Sequence, residues 1–153
     1  MFELMRAIPP LPRRLGLSGL LPMAALLGLV LSGNDQWRFG ALAFGWLYAA
    51  LIFSFLGGLW WGLAAAAPTR APGWLWLVSV LPSLMALVTL APWLIGEPWP
   101  GPSLVWLGVS ILAAPLVDRR IAALGLAPPW WMALRLTLST GLGTMAIIMG
   151  LAA

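Results

Sequence analysis

Histidine, cysteine and lysine are absent from this 153-residue chain, and each absence removes a class of chemistry. Without histidine or cysteine there is no zinc site of the usual type, no iron–sulfur cluster, no histidine-ligated haem, no thiol nucleophile and no Ser-His-Asp arrangement. Without lysine there is no Schiff-base chemistry. Four carboxylates remain, Glu3, Asp35, Glu97 and Asp118, and no two of them stand at a spacing suited to shared acid–base work. The expectation is a protein that is not an enzyme, with no catalytic, metal or cofactor-binding residues to assign. The missing cysteines say nothing about redox compartment.

Charge is scarce as well, at 8% of residues, against 62% hydrophobic residues and a mean hydropathy of +0.99. A small soluble globule leaves too much of its chain facing water to hide so much apolar surface. The solvent for most side chains is therefore lipid. A bilayer core of about 30 Å needs roughly 20 apolar residues of helix. Spans are expected at about 15–32, 40–66, 74–95, 102–117 and 130–152, in one transmembrane domain over residues 1–153. The fold class is thus all-α: a polytopic membrane protein built as a five-helix bundle. Breaks between spans carry the charges and turn formers, as in Ser32-Gly33-Asn34-Asp35 and Gly96-Glu97-Pro98. Because these connections are short, consecutive spans are expected to be antiparallel neighbours.

Arginine carries all the positive charge. Arg6, Arg13 and Arg14 precede the first span, Arg70 separates the second and third, and Arg119 and Arg120 follow the fourth, while Arg38 lies on the opposite side. By the positive-inside rule the N-terminus is cytoplasmic and the C-terminus emerges on the far side. These dispersed arginines form no contiguous basic face, so no nucleic-acid partner is expected. Tryptophans near span ends, including Trp74, Trp93, Trp99, Trp130 and Trp131, suit the headgroup region. The basic start, the apolar run from Leu15 and the break at Ser32-Gly33 also fit a cleaved secretory signal; the run is longer than the usual signal core, which favours a retained first span.

Small residues recur on two spans. Ala50, Ser54, Gly58, Gly62 and Ala66 are spaced by four along span two, and Ser139, Gly143, Ala146 and Gly150 form a second stripe in span five. In lipid, such faces let backbones approach and gain dispersion contact. Ser54, Gly58, Gly62, Ser139 and Gly143 therefore form the candidate packing face, with spans two and five as the expected close pair and a homodimer seam or lipid groove as the alternative. Pro82 in mid-span three removes a backbone hydrogen bond and marks an expected kink, with Ser79 and Ser83 at hand for the freed backbone.

Arg135 lies about two turns inside span five, where an unpaired cation is expensive. Asp118 is the one acid close to the spans on the same side. An Asp118–Arg135 ion pair is expected to tie spans four and five, with a headgroup or anionic ligand on Arg135 as the functional alternative.

Three runs carry a family resemblance: YAALIFSFLGGLWWGLA over 48–64, LVSVLPSLMAL over 77–87 and DRRIAALGLAPPWWMALRL over 118–136. With LGLSGLLPMAALLGL in span one, they resemble the family catalogued as domain of unknown function 3429, which includes the mitochondrial transmembrane protein 69. The resemblance covers nearly the whole chain. It implies a small inner-membrane protein of bacteria or mitochondria with span one retained, and it brings no activity with it.

Three readings follow. The favoured one is a non-catalytic structural, accessory or assembly component of a membrane complex. A small-solute or ion transporter or channel would place Ser54, Ser79, Ser83, Thr89, Thr140 and Thr144 around one wettable cavity. A lipid- or quinone-binding protein would have a fenestrated apolar pocket with Arg135, Trp130 or Trp131 at its mouth. No resident cofactor is expected, a bound lipid or quinone being the open case. The expected partners are membrane lipids, together with a membrane-protein partner or a second copy of the chain.

Overall fold

Prolines, glycines and one asparagine set the element boundaries in the computed structural model, which describes residues 8–153. Glu3 and Arg6 lie outside the described residues. Span one is two helices, α1 (Pro10–Ser18) and α2 (Leu21–Leu31), separated at Gly19 and Leu20 just ahead of Pro22. Proline has no N–H to offer the preceding turn, so the ladder opens there. The Tyr48 hydroxyl donates to the Gly19 carbonyl at this break.

The long helix α3 (Asp35–Ala66) begins where Asn34 caps it, its side-chain oxygen accepting the Gln36 N–H at 3.0 Å. It therefore starts five residues before the apolar run at Gly40. At 1.5 Å per residue its 32 residues reach about 48 Å. That exceeds a bilayer core, so α3 tilts or projects. Span three comprises α4 (Gly73–Val88) and the short α5 (Ala91–Leu94). Helix α4 runs on through Pro82, and the span is interrupted at Thr89 and Leu90, ahead of Pro92. Ser79 Oγ donates to the Leu75 carbonyl at 2.6 Å, whereas Ser83 turns to Ser54, hydroxyl to hydroxyl, at 2.8 Å.

Helix α6 (Gly101–Ala123) passes through Pro115 and takes in Asp118, Arg119 and Arg120. The expected end near Val117 is corrected by two turns: Asp118 is neutralised inside the bundle, so its charge does not end the helix. Helix α7 (Trp131–Leu151) completes the chain. The described residues are all-helical, with five spans long and apolar enough to cross a membrane.

Helix α3 is the hub, bordered by span one, α4, α6 and α7. The tightest pair is α6 with α7, which corrects the expected pairing of spans two and five. A Cβ on Gly108 would lie 2.7 Å from the Gly143 carbonyl oxygen, and one on Gly150 would lie 2.6 Å from that of Gly101. Gly101 and Gly108 are two turns apart, as are Gly143 and Gly150, so in antiparallel register the two glycine pairs meet. Gly58 and Gly62 are corrected too, for open space surrounds both and neither packs against another span. Gly57 is the glycine of α3 that meets α4, against the Ser79 carbonyl and the Pro82 ring. Ser54 does face α4, through Ser83.

Spans three and four meet at one end, where Ser103 Oγ donates to the Thr89 carbonyl at 2.7 Å, and elsewhere leave an apolar crevice of about 260 Å³ whose lining includes Phe53, Trp60, Pro82, Met85, Trp106 and Ala113. At the other end of α3, Trp99 meets the rings of Trp46, Trp93 and Phe39 at centroid distances of 5.3, 6.1 and 6.2 Å. Trp46 Nε1 donates to Thr89 Oγ1 at 3.0 Å, and Arg38 donates to the Ala152 carbonyl, so this layer ties α3 to spans three and five.

Candidate functional site

Trp131, Arg135, Ser139 and Gly143 are spaced by four along α7 and so share one face. That face meets α6 at Asp118, which is fully buried at 0% exposure. Arg135 Nε donates to Asp118 Oδ2 at 2.9 Å, forming an ion pair between α6 and α7. Asp118 Oδ1 accepts two further hydrogen bonds, each of 2.9 Å, from the indole Nε1 of Trp60 on α3 and of Trp131 on α7. One carboxylate thus collects three donors from two neighbouring helices. A buried charge is tolerable only when paired and hydrogen-bonded in this way, and here both conditions hold.

Arg135 is less completely engaged. Its Nη2 approaches Ser139 Oγ at 3.4 Å, and its Nη1 has no hydrogen-bond partner among the described residues. The residue is 6% exposed, and the space it borders is a cavity of about 360 Å³. Leu56, Ile111 and Leu142 form the cavity floor and belong to the core. Leu15 of α1 and Phe55 of α3, both well exposed, form a mouth opening toward lipid, while Trp130, Trp131, Arg135 and Ser139 form the polar end. The site is an apolar groove with one cation and one hydroxyl at a single end. The Asp118–Arg135 pair leaves that end without net charge.

Several residues stand elsewhere than expected. Trp131 is buried against Asp118 rather than lying among headgroups. Trp60 carries an unforeseen role, and its neighbour Trp61 instead packs edge-on to Trp76 at 4.8 Å. The spacing of four from Trp131 to Arg135 is a signal that could have placed that indole beside the pair. For Trp60 no such signal exists. Ser139 lines the cavity and contacts Arg135, whereas Gly143 packs against Leu112 and the Gly108 carbonyl. Of Ser54, Ser79, Ser83, Thr89, Thr140 and Thr144, none lines either cavity; Ser79 and Thr89 are buried while Ser83, Thr140 and Thr144 face outward. Among the described residues no cluster of acidic side chains is placed to hold a metal ion.

A family model described as Protein of unknown function (DUF3429) matches residues 8–151, and the chain belongs to that family. Neither the curated proteins nor the solved structures give a match.

Proposed function

We propose that this member of the DUF3429 family is a non-catalytic membrane protein that binds a single-tailed amphipathic molecule, a lipid or a quinone, between its first, second and fifth spans. The carrying observation is the apolar groove that ends on Arg135, whose Nη1 has no hydrogen-bond partner among the described residues. Small-ligand sites are mostly apolar with a few placed polar groups, and volumes of about 300–1,000 Å³ are typical. The groove's volume of about 360 Å³ lies at the lower end of that range. Its mouth between Leu15 and Phe55 would admit a tail directly from the bilayer.

The transporter reading draws no support from the scattered serines and threonines. An accessory role in a larger complex is the second reading, favoured by one observation: Gly58 and Gly62 present a small, open face on α3 that a further helix would fit. We place the protein in a bacterial cytoplasmic membrane, with the mitochondrial inner membrane as the alternative. Arg13, Arg14, Arg70, Arg119 and Arg120 gather at one end of the five spans, which supports a cytoplasmic N-terminus.

Native mass spectrometry of the protein released from its own membrane tests the two readings together. A defined small molecule that is retained by the wild type and lost from Leu59→Trp, which fills the groove without touching the ion pair, is the expected result. A protein assembly with no bound small molecule would instead establish the accessory reading.

A further inference from the structure

We infer that the head received at Arg135 is an uncharged carbonyl group, and that the occupant of the groove is a quinone rather than a fatty acid or an acidic phospholipid. The inference rests on the binding reading above and adds the ligand's charge and shape.

Charge decides first. The guanidinium is already neutralised by Asp118 at 2.9 Å, and Asp118 is held by Trp60 and Trp131 as well, so nothing displaces it readily. An anionic head beside Arg135 would bring a second negative charge against one cation in a water-poor site. Burying an uncompensated charge is far costlier than burying a neutral acceptor that gains a hydrogen bond. A carbonyl oxygen adds no charge and can receive a charge-assisted bond from Nη1, which has no partner among the described residues.

Depth agrees with charge. Arg135 lies four residues beyond the first residue of α7, and Asp118 five residues before the end of α6. At 1.5 Å per residue both are about 6–8 Å inside the helix ends, and both are buried in the bundle, away from a head lying at the helix ends. Arg119 and Arg120 lie at a similar depth but are exposed, so their long side chains can extend to phosphates at the surface, which the buried Arg135 does not do.

Shape separates a quinone from a neutral glyceride. The polar end is lined by Trp130 and Trp131, whose rings are tilted by 46° with centroids 6.3 Å apart, an aromatic wall against which a planar head can pack. A groove of about 360 Å³ suits one ring and one chain rather than two acyl chains. Binding alone is inferred, and no electron transfer is assigned.

The test uses the purified full-length protein in detergent, titrated with ubiquinone-2, menaquinone-2, oleic acid, dioleoylglycerol and dioleoylphosphatidic acid, with bound mass read by native mass spectrometry. Wild type is expected to hold a quinone at least tenfold more tightly than oleate or phosphatidic acid. Asp118→Asn keeps an acceptor for the two indoles but leaves Arg135 uncompensated, so it should reverse the order and favour oleate. The wild-type comparison stands by itself if that variant does not fold. Oleate or phosphatidic acid binding as tightly as a quinone overturns the neutral head, and dioleoylglycerol binding as tightly overturns the flat ring, while both leave the binding reading intact. If no compound binds the wild type, that reading falls and this inference with it.

Discussion

Gly57 of α3 faces the Ser79 backbone of α4, and a Cβ on Gly57 would run into the Ser79 carbonyl oxygen. The obstacle is backbone and cannot swing aside as a side chain would. Gly57→Ala should therefore destabilise the protein by about 1–3 kcal/mol, the usual range for overpacking a tight contact. Gly58→Ala, with nothing within 4 Å, should be neutral or slightly stabilising. Thermal denaturation of both variants in one detergent reads the contrast. Damage from Gly58→Ala would mean that another chain covers that face.

The five spans were legible because apolar runs of this length are the mark of helices that cross a bilayer, and the breaks between them carry turn formers and charges. The facing of each helix was not legible. In water a polar stripe marks the outer side of a helix, but in lipid both the partner helix and the solvent are apolar, so composition hardly distinguishes them. Adjacent residues on a helix stand about 100° apart, yet nothing in the sequence separates Gly57 from Gly58 or Trp60 from Trp61. At the candidate site Asp118 and Arg135 stood out as charges in apolar surroundings, and Ser139 stood out only as a small residue. The two indoles that complete the carboxylate's shell were hidden among 11 tryptophans. The contact of spans four and five was legible through Asp118 and Arg135, but its glycine seam was not, because Gly101 and Gly108 are seven residues apart rather than four.

Trp60→Phe and Trp131→Phe each keep an aromatic ring in place and remove one donor from a carboxylate with no exposure. A hydrogen bond to a charged group contributes roughly 1.5–3 kcal/mol, so each variant should lose about that much. Trp61→Phe, at a residue 48% exposed, should fall within about 0.5 kcal/mol of wild type. Unfolding in graded denaturing detergent compares all three. Equal losses at positions 60 and 61 would assign the cost to ring packing and not to the Asp118 bond.

Asp118 and Arg135 should be strongly coupled in a double-mutant cycle. Arg135→Leu leaves a buried carboxylate with indole partners but no counter-charge, and Asp118→Leu leaves a buried cation. Each single change is expected to cost about 3–5 kcal/mol, whereas the double change to Leu should cost clearly less than their sum, since no orphaned charge remains. Folded fraction after extraction, measured by size-exclusion chromatography for all four proteins, checks the sign. Strict additivity would show that the two charges do not depend on one another.

Tyr48→Phe probes how span one is held. The break at Gly19 frees a carbonyl that the helix ladder does not use, and the Tyr48 hydroxyl is its donor. Span one is the least buried of the five, with 11% of its most apolar window inside the bundle. Losing one bond with a net contribution of about 1 kcal/mol should raise local opening about fivefold. Hydrogen–deuterium exchange over residues 15–24 is expected to rise by that factor, with α6 and α7 unchanged. Gly16 and Gly19 also line the groove, so the same variant should release a bound ligand faster than wild type without altering the polar end. Faster exchange with unchanged ligand release would show that span one is not a wall of the occupied site.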